Sequence, residues 1–101
     1  MYYLYILYSV SSDKYYVGHS IDPWERCMYH NNDDKNTFTS KHRPWAIKAI
    51  FIAGKSRSEA LKIERWIKQQ KSRKLIELLI GPSFIPNSIL AQLVRVPHLQ
   101  D

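Results

Sequence analysis

Cys27 is the only cysteine in the chain. Its solitude excludes an internal disulfide and any zinc site built from several cysteines, and it suits a reducing compartment. Long apolar runs are missing too. The opening stretch Tyr2-Tyr3-Leu4-Tyr5-Ile6-Leu7 has no charged leader, is too short to span a bilayer, and passes into the polar Ser11-Ser12-Asp13-Lys14. The expectation is a protein neither secreted nor membrane-spanning, with a cytoplasmic location. His19, His42 and His98 lack metal-ligand spacing, and Cys27 has no accompanying His-Asp pattern, so neither suggests chemistry. Acids are scarce where bases crowd: from Lys41 to Lys74 basic residues recur against only Glu59 and Glu64.

The 101 residues are 45% hydrophobic and 24% charged, ordinary values for one globular domain able to bury a core. A net charge of +6 suits a polyanionic partner, because each Lys or Arg that neutralises a phosphate also releases counterions.

Tyr2 to Ser9 and Tyr15 to Gly18 are rich in tyrosine and aliphatics around a polar turn, the pattern of a β-hairpin. Strand alternation points Tyr3, Tyr5 and Leu7 one way and Leu4, Ile6 and Tyr8 the other. Asp22-Pro23-Trp24-Glu25 is a helix start, with Asp as cap and Pro at the first helical position. That helix carries Arg26 and His30 and gives way to a polar loop, Asn31 to Asn36, and a basic connector, Thr37 to Pro44. Trp45 to Ala53 is apolar but for Lys48 and predicts a central strand. Ser56 with Glu59 opens a helix to about Gln70, buried through Ala60, Ile63 and Ile67. A third helix, Ser72 to Ile80, has Leu75, Ile76 and Leu79 inward and stops at Gly81-Pro82.

The predicted fold is α/β (α+β): a small three-stranded antiparallel sheet flanked by three helices. Residues 1–81 form the domain, and 82–101, with three of the five prolines and no clear period, form a C-terminal extension.

A tyrosine on the first strand, Tyr-Val-Gly on the second, an Arg and His on the next helix and a Glu on the helix after the third strand form an ordered set. This set resembles the GIY-YIG nuclease superfamily over roughly residues 1–80, and small stand-alone members most. Tyr3-Leu4-Tyr5 stands where the family has Gly-Ile-Tyr, and Tyr16-Val17-Gly18 where it has Tyr-Ile-Gly. The Gly-Ile pair is therefore absent, and no counterpart of the family's downstream Asn is identified.

The resemblance implies a metal-dependent endonuclease hydrolysing DNA, with Tyr5, Tyr16, Arg26, His30 and Glu64 as the catalytic set. Arg26 and His30, four apart on a helix, can present one patch to a phosphate, and a guanidinium can stabilise charge building on a pentacoordinate transition state. Glu64 would hold one divalent cation, Mg2+ or Mn2+, since those ions favour carboxylate oxygen and keep their waters. Tyr5 is the implied general base, with His30 as relay, and basic surroundings are expected to lower its pKa. Tyr16 would orient water or phosphate. Lys41, Arg43, Lys68, Lys71 and Arg73 are expected to track the backbone through sequence-independent contacts. Branched, flapped or damaged DNA is the expected substrate. The alternative is a basic module that binds nucleic acid without cutting it.

Overall fold

The computed structural model describes residues 1–32, 38–84 and 87–97. Four strands, β1 (Tyr2–Ser9), β2 (Lys14–Ser20), β3 (Trp45–Gly54) and β4 (Val94–Val96), form one antiparallel sheet in the order β2-β1-β3-β4. The helices are α1 (Pro23–Asn32), the short α2 (Phe38–Lys41), α3 (Arg57–Gln69) and α4 (Arg73–Ile80). A 3-10 turn, Ser88–Leu90, precedes β4.

The starts of the helices follow the capping chemistry in the sequence. Asp22 Oδ1 accepts from Glu25 N at 3.0 Å at α1, Ser56 Oγ accepts from Glu59 N at 3.3 Å at α3, and Ser72 Oγ accepts from Leu75 N at 3.0 Å at α4. Each supplies an acceptor to an amide that the first helical turn leaves open.

Both faces of the sheet are covered. On one, Leu4, Ile6 and Val17 meet Ala60, Ile63 and Ile67 of α3 and Leu79 of α4. On the other, Tyr5 and Leu7 meet Cys27 of α1, with Trp45 and Ile50. The β1 alternation thus serves two cores, which leaves β1 with no solvent face.

The sheet has four strands and not three. Val94 to Val96 pairs with Ile50 to Ile52 along the outer side of β3. Leu90 and Leu93 enter the larger core, and Arg95 Nη2 donates to the carbonyls of Leu79 and Gly81 at 2.6 and 2.8 Å, supplying donors at the end of α4. A strand of three residues in proline-rich sequence has no period to betray it. The connector also differs from expectation, because Phe38–Lys41 is helical. Residues 33–36 of the expected polar loop, Thr37 of the connector, and His98 lie outside the described residues.

Candidate active site

The site begins with a gap in β2. Tyr5 pairs across the ladder with Gly18, and a Cβ on Gly18 would meet Tyr5 Oη at 2.5 Å and Cζ at 2.6 Å. Gly18 is needed because the Tyr5 ring lies across it, carrying the hydroxyl from an interior strand to the free edge of the sheet. There the hydroxyl sits 2.9 Å from Nε2 of His30 on α1. Tyr16, on the same sheet face, places its ring 4.9 Å from the His30 ring and 6.4 Å from that of Tyr5.

Burial pushes the Tyr5 phenol well above its ordinary range, and Tyr16 adds to the rise. The Arg26 guanidinium acts the other way, but the expected lowering does not occur in the protein alone. One cation does not offset the loss of water around a residue 1% exposed.

Arg26 and His30 both reach the Tyr5 hydroxyl, but from different depths. The buried stripe of α1 is Pro23, Cys27 and His30, so His30 turns inward while Arg26, one position off that stripe, stays exposed beside Tyr29. His30 backs the Tyr5 hydroxyl rather than facing solvent. Cys27 is buried, and burial raises its thiol pKa, which fits a packing role and not a nucleophile.

Glu64 reaches the same place from the opposite face of the sheet. It borders the apolar stripe of α3, and its side chain is 13% exposed. Its Oε1 lies 2.6 Å from His19 Nδ1 and its Oε2 2.8 Å from Lys68 Nζ. A carboxylate at such a border is costly unless partnered, and here both oxygens are engaged. The acid and the phenols stand on different faces, yet they meet around the rim, because β2 is an outer strand with no side chain at position 18. Tyr5, Tyr16, Arg26 and Glu64 line one cavity of about 400 Å³, with Gly18 and His19 between them.

His19 carries no motif or spacing that marks it in the sequence. With the second strand ended at Gly18, His19 fell in a loop; β2 in fact runs to Ser20. Alternation from Val17 then puts His19 on the face covered by α3, opposite Leu4.

Among the described residues no group of three or more His, Cys, Asp or Glu side chains could enclose a metal. Glu64 is the carboxylate lining the cavity. A hard ion that retains its waters needs few protein oxygens, so this donor fits Mg2+ or Mn2+ and not a closed structural site.

The five expected phosphate contacts divide. Lys68, Lys71 and Arg73 line a neighbouring groove, and Lys41 is exposed on α2. Arg43 donates to the carbonyls of Ser40 and Asn31 at 3.1 and 2.9 Å. Arg73 binds Asp13 Oδ1 at 2.5 Å and Glu77 Oε2 at 3.2 Å, tying α4 to the hairpin turn. Both arginines therefore hold the structure together in addition to carrying charge.

An antiparallel sheet flanked by helices, with phenols, a guanidinium and a carboxylate gathered beside its outer strand, defines the class of this domain. The GIY-YIG catalytic domain family matches residues 1–76, and the chain belongs to that family. Over 70 residues it is 38% identical to "Structure-specific endonuclease subunit SLX1" of Cryptococcus neoformans var. neoformans serotype D, in strains JEC21 and B-3501A alike. That alignment covers 66% of this chain and 14% of each relative, so the chain spans about a seventh of their length.

Proposed function

We propose that this protein is a divalent-metal-dependent endonuclease that hydrolyses DNA phosphodiester bonds, with little sequence specificity and a preference for branched, flapped or damaged DNA. The observation that supports the reading most is the meeting of Tyr5, Tyr16, Arg26 and Glu64 in one cavity, with His30 against the Tyr5 hydroxyl. Structure selectivity draws on the likeness to the structure-specific SLX1 subunits. A cytoplasmic location fits the single reduced thiol, and no described helix is long and apolar enough to cross a membrane. Residues 82–101 we take as an extension apart from the chemistry, within which Val94 to Val96 adds to the sheet.

In this scheme Arg26 grips the non-bridging oxygens of the scissile phosphate and opposes the charge that grows as water attacks. Tyr5 takes the proton from that water, and His30, 2.9 Å away, can accept it in turn. Tyr16 orients the water or the phosphate. Glu64 would hold Mg2+ or Mn2+, which when bound supplies positive charge for the leaving oxygen. Each Glu64 oxygen keeps a second lone-pair direction for such an ion beside its bond to His19 or Lys68.

That double engagement also favours a second reading, in which Glu64 is a structural ion pair and the domain grips nucleic acid without cutting it. Cleavage of flapped, branched and duplex DNA with Mg2+ or with EDTA separates the two. The nuclease reading expects magnesium-dependent cutting that Glu64→Ala abolishes, with salt-sensitive DNA binding nearly unchanged. No cleavage of any substrate alongside retained binding selects the second reading, and an active Glu64→Ala protein removes the metal role.

A further inference from the structure

A second groove, about 420 Å³, adjoins the candidate active site, and Tyr16 is common to both. Its floor is apolar, with Ile67 and Ile76, which is unusual beside a site meant for phosphate. Phe38 lies at its side, 47% exposed, with its ring 6.3 Å from that of Tyr16 and only 26° from parallel. The open Phe38 ring beside an apolar cavity suits a ligand with a flat face.

The rim carries the matching charge. Lys14 and Lys71 line it, while the carboxylate of Asp13 is neutralised by Arg73 at 2.5 Å and accepts from the Tyr8 hydroxyl at 2.6 Å. Lys71 adopts a φ of 48°, a left-handed backbone at the α3–α4 junction where glycine or asparagine is the unstrained choice. A lysine accepted there at conformational cost sets a cation at the mouth of an aromatic pocket. The π-faces, apolar floor and cationic rim match a nucleobase with its phosphate, the combination by which single strands are held without sequence preference. A base within a duplex is stacked on both faces and cannot offer itself to such a pocket; an unpaired one can.

We propose that this groove seats an unpaired base of the strand next to the scissile phosphate, against the open face of Phe38 and beside Tyr16, with Lys71 on its backbone. The inference rests on the nuclease reading for its position, and it would explain selectivity for DNA with a single-stranded branch. The test is binding by fluorescence anisotropy in EDTA, comparing a flap substrate, the same nicked duplex without a flap, and a flap abasic at its first unpaired nucleotide.

Wild type is expected to prefer the intact flap, and Phe38→Ala to lose about tenfold on it while holding the nicked duplex unchanged, as base stacking on one ring predicts. Phe38→Trp restores the preference, and the abasic flap binds wild type as weakly as the intact flap binds Phe38→Ala. Equal losses on flap and nicked duplex, or no loss on either, overturn the proposal. Cleavage with Mg2+ is scored separately: a wild type that prefers flaps in EDTA yet cuts nothing sinks the nuclease reading and leaves the groove assignment standing.

Discussion

Gly18→Ala isolates the role of the gap in β2. No positive φ is involved at this position, so the substitution adds a methyl and nothing else to the backbone's difficulties. That methyl would lie 2.5 Å from Tyr5 Oη, 2.6 Å from Cζ and 3.1 Å from Cε2, about an ångström inside ordinary contact for the first two. The obstacle is a buried ring, not the loose end of a flexible chain, and it is bonded to His30. Overpacking of this kind costs about 1–3 kcal/mol, which for a domain of this size lowers Tm by roughly 4–8 °C per kcal/mol. The larger effect falls on rate. Moving the Tyr5 hydroxyl by an ångström should lower kcat/KM about a hundredfold on a flap substrate with Mg2+. Thermal melts and cleavage kinetics on the same preparation measure both. In the double variant Tyr5→Phe/Gly18→Ala, loss of the hydroxyl relieves part of the clash, so its stability should exceed the sum of the single effects. A Gly18→Ala protein that melts and cuts like wild type refutes the reasoning.

Three further outcomes follow from the same geometry. Because burial raises the Tyr5 pKa above its ordinary value of 10, the base form is scarce at neutrality and grows with pH. Cleavage should therefore rise about tenfold per pH unit from roughly 7 to 9, and a flat profile measured at saturating Mg2+ would remove Tyr5 as base. His30→Ala empties a buried position and takes the imidazole from the Tyr5 hydroxyl; a loss of about 2 kcal/mol or more is expected in chemical denaturation, and wild-type stability would show that the contact contributes nothing. The Asp13 pKa is lowered, first by the Tyr8 hydroxyl and then by Arg73. The folded state therefore binds fewer protons than the unfolded state, so this stabilisation is full above the ordinary value of 3.8 and fades as pH falls below it. Asp13→Asn should melt with less dependence on pH in that acid range, and an unchanged acid slope would discount the contact.

Much of this was legible because local chemistry and global fold agree. Caps at Asp22, Ser56 and Ser72, and the alternation through Tyr5 and Leu4, place the helices and β1 where hydrogen bonding and burial require them. What escaped was non-local. β4 exists only through its partner, β3, and a three-residue segment has no intrinsic preference strong enough to announce itself. The orientation of His30 depended on which α1 stripe met the sheet, and helical spacing alone does not show that His30 is buried while Arg26 is exposed. The ion pair of His19 with Glu64 joins residues 45 positions apart. The direction of the Tyr5 shift depended on burial outweighing nearby charge, a balance that residue types do not reveal.

The two rims of the sheet make opposite demands. At β2 a substrate must be able to approach, so the backbone there stays uncovered, and positive side chains nearby discourage another strand from docking. At β3 any stranger would do harm: ten residues, nearly all apolar, have an outer edge that Val94 to Val96 pair and that Asn31 and Gln92 cap at Trp45 and Ala53. The segment Val94 to Val96 thus works as a bumper. A protein cut short before it would keep every group proposed for the chemistry and yet be prone to zip onto its own copies along that side.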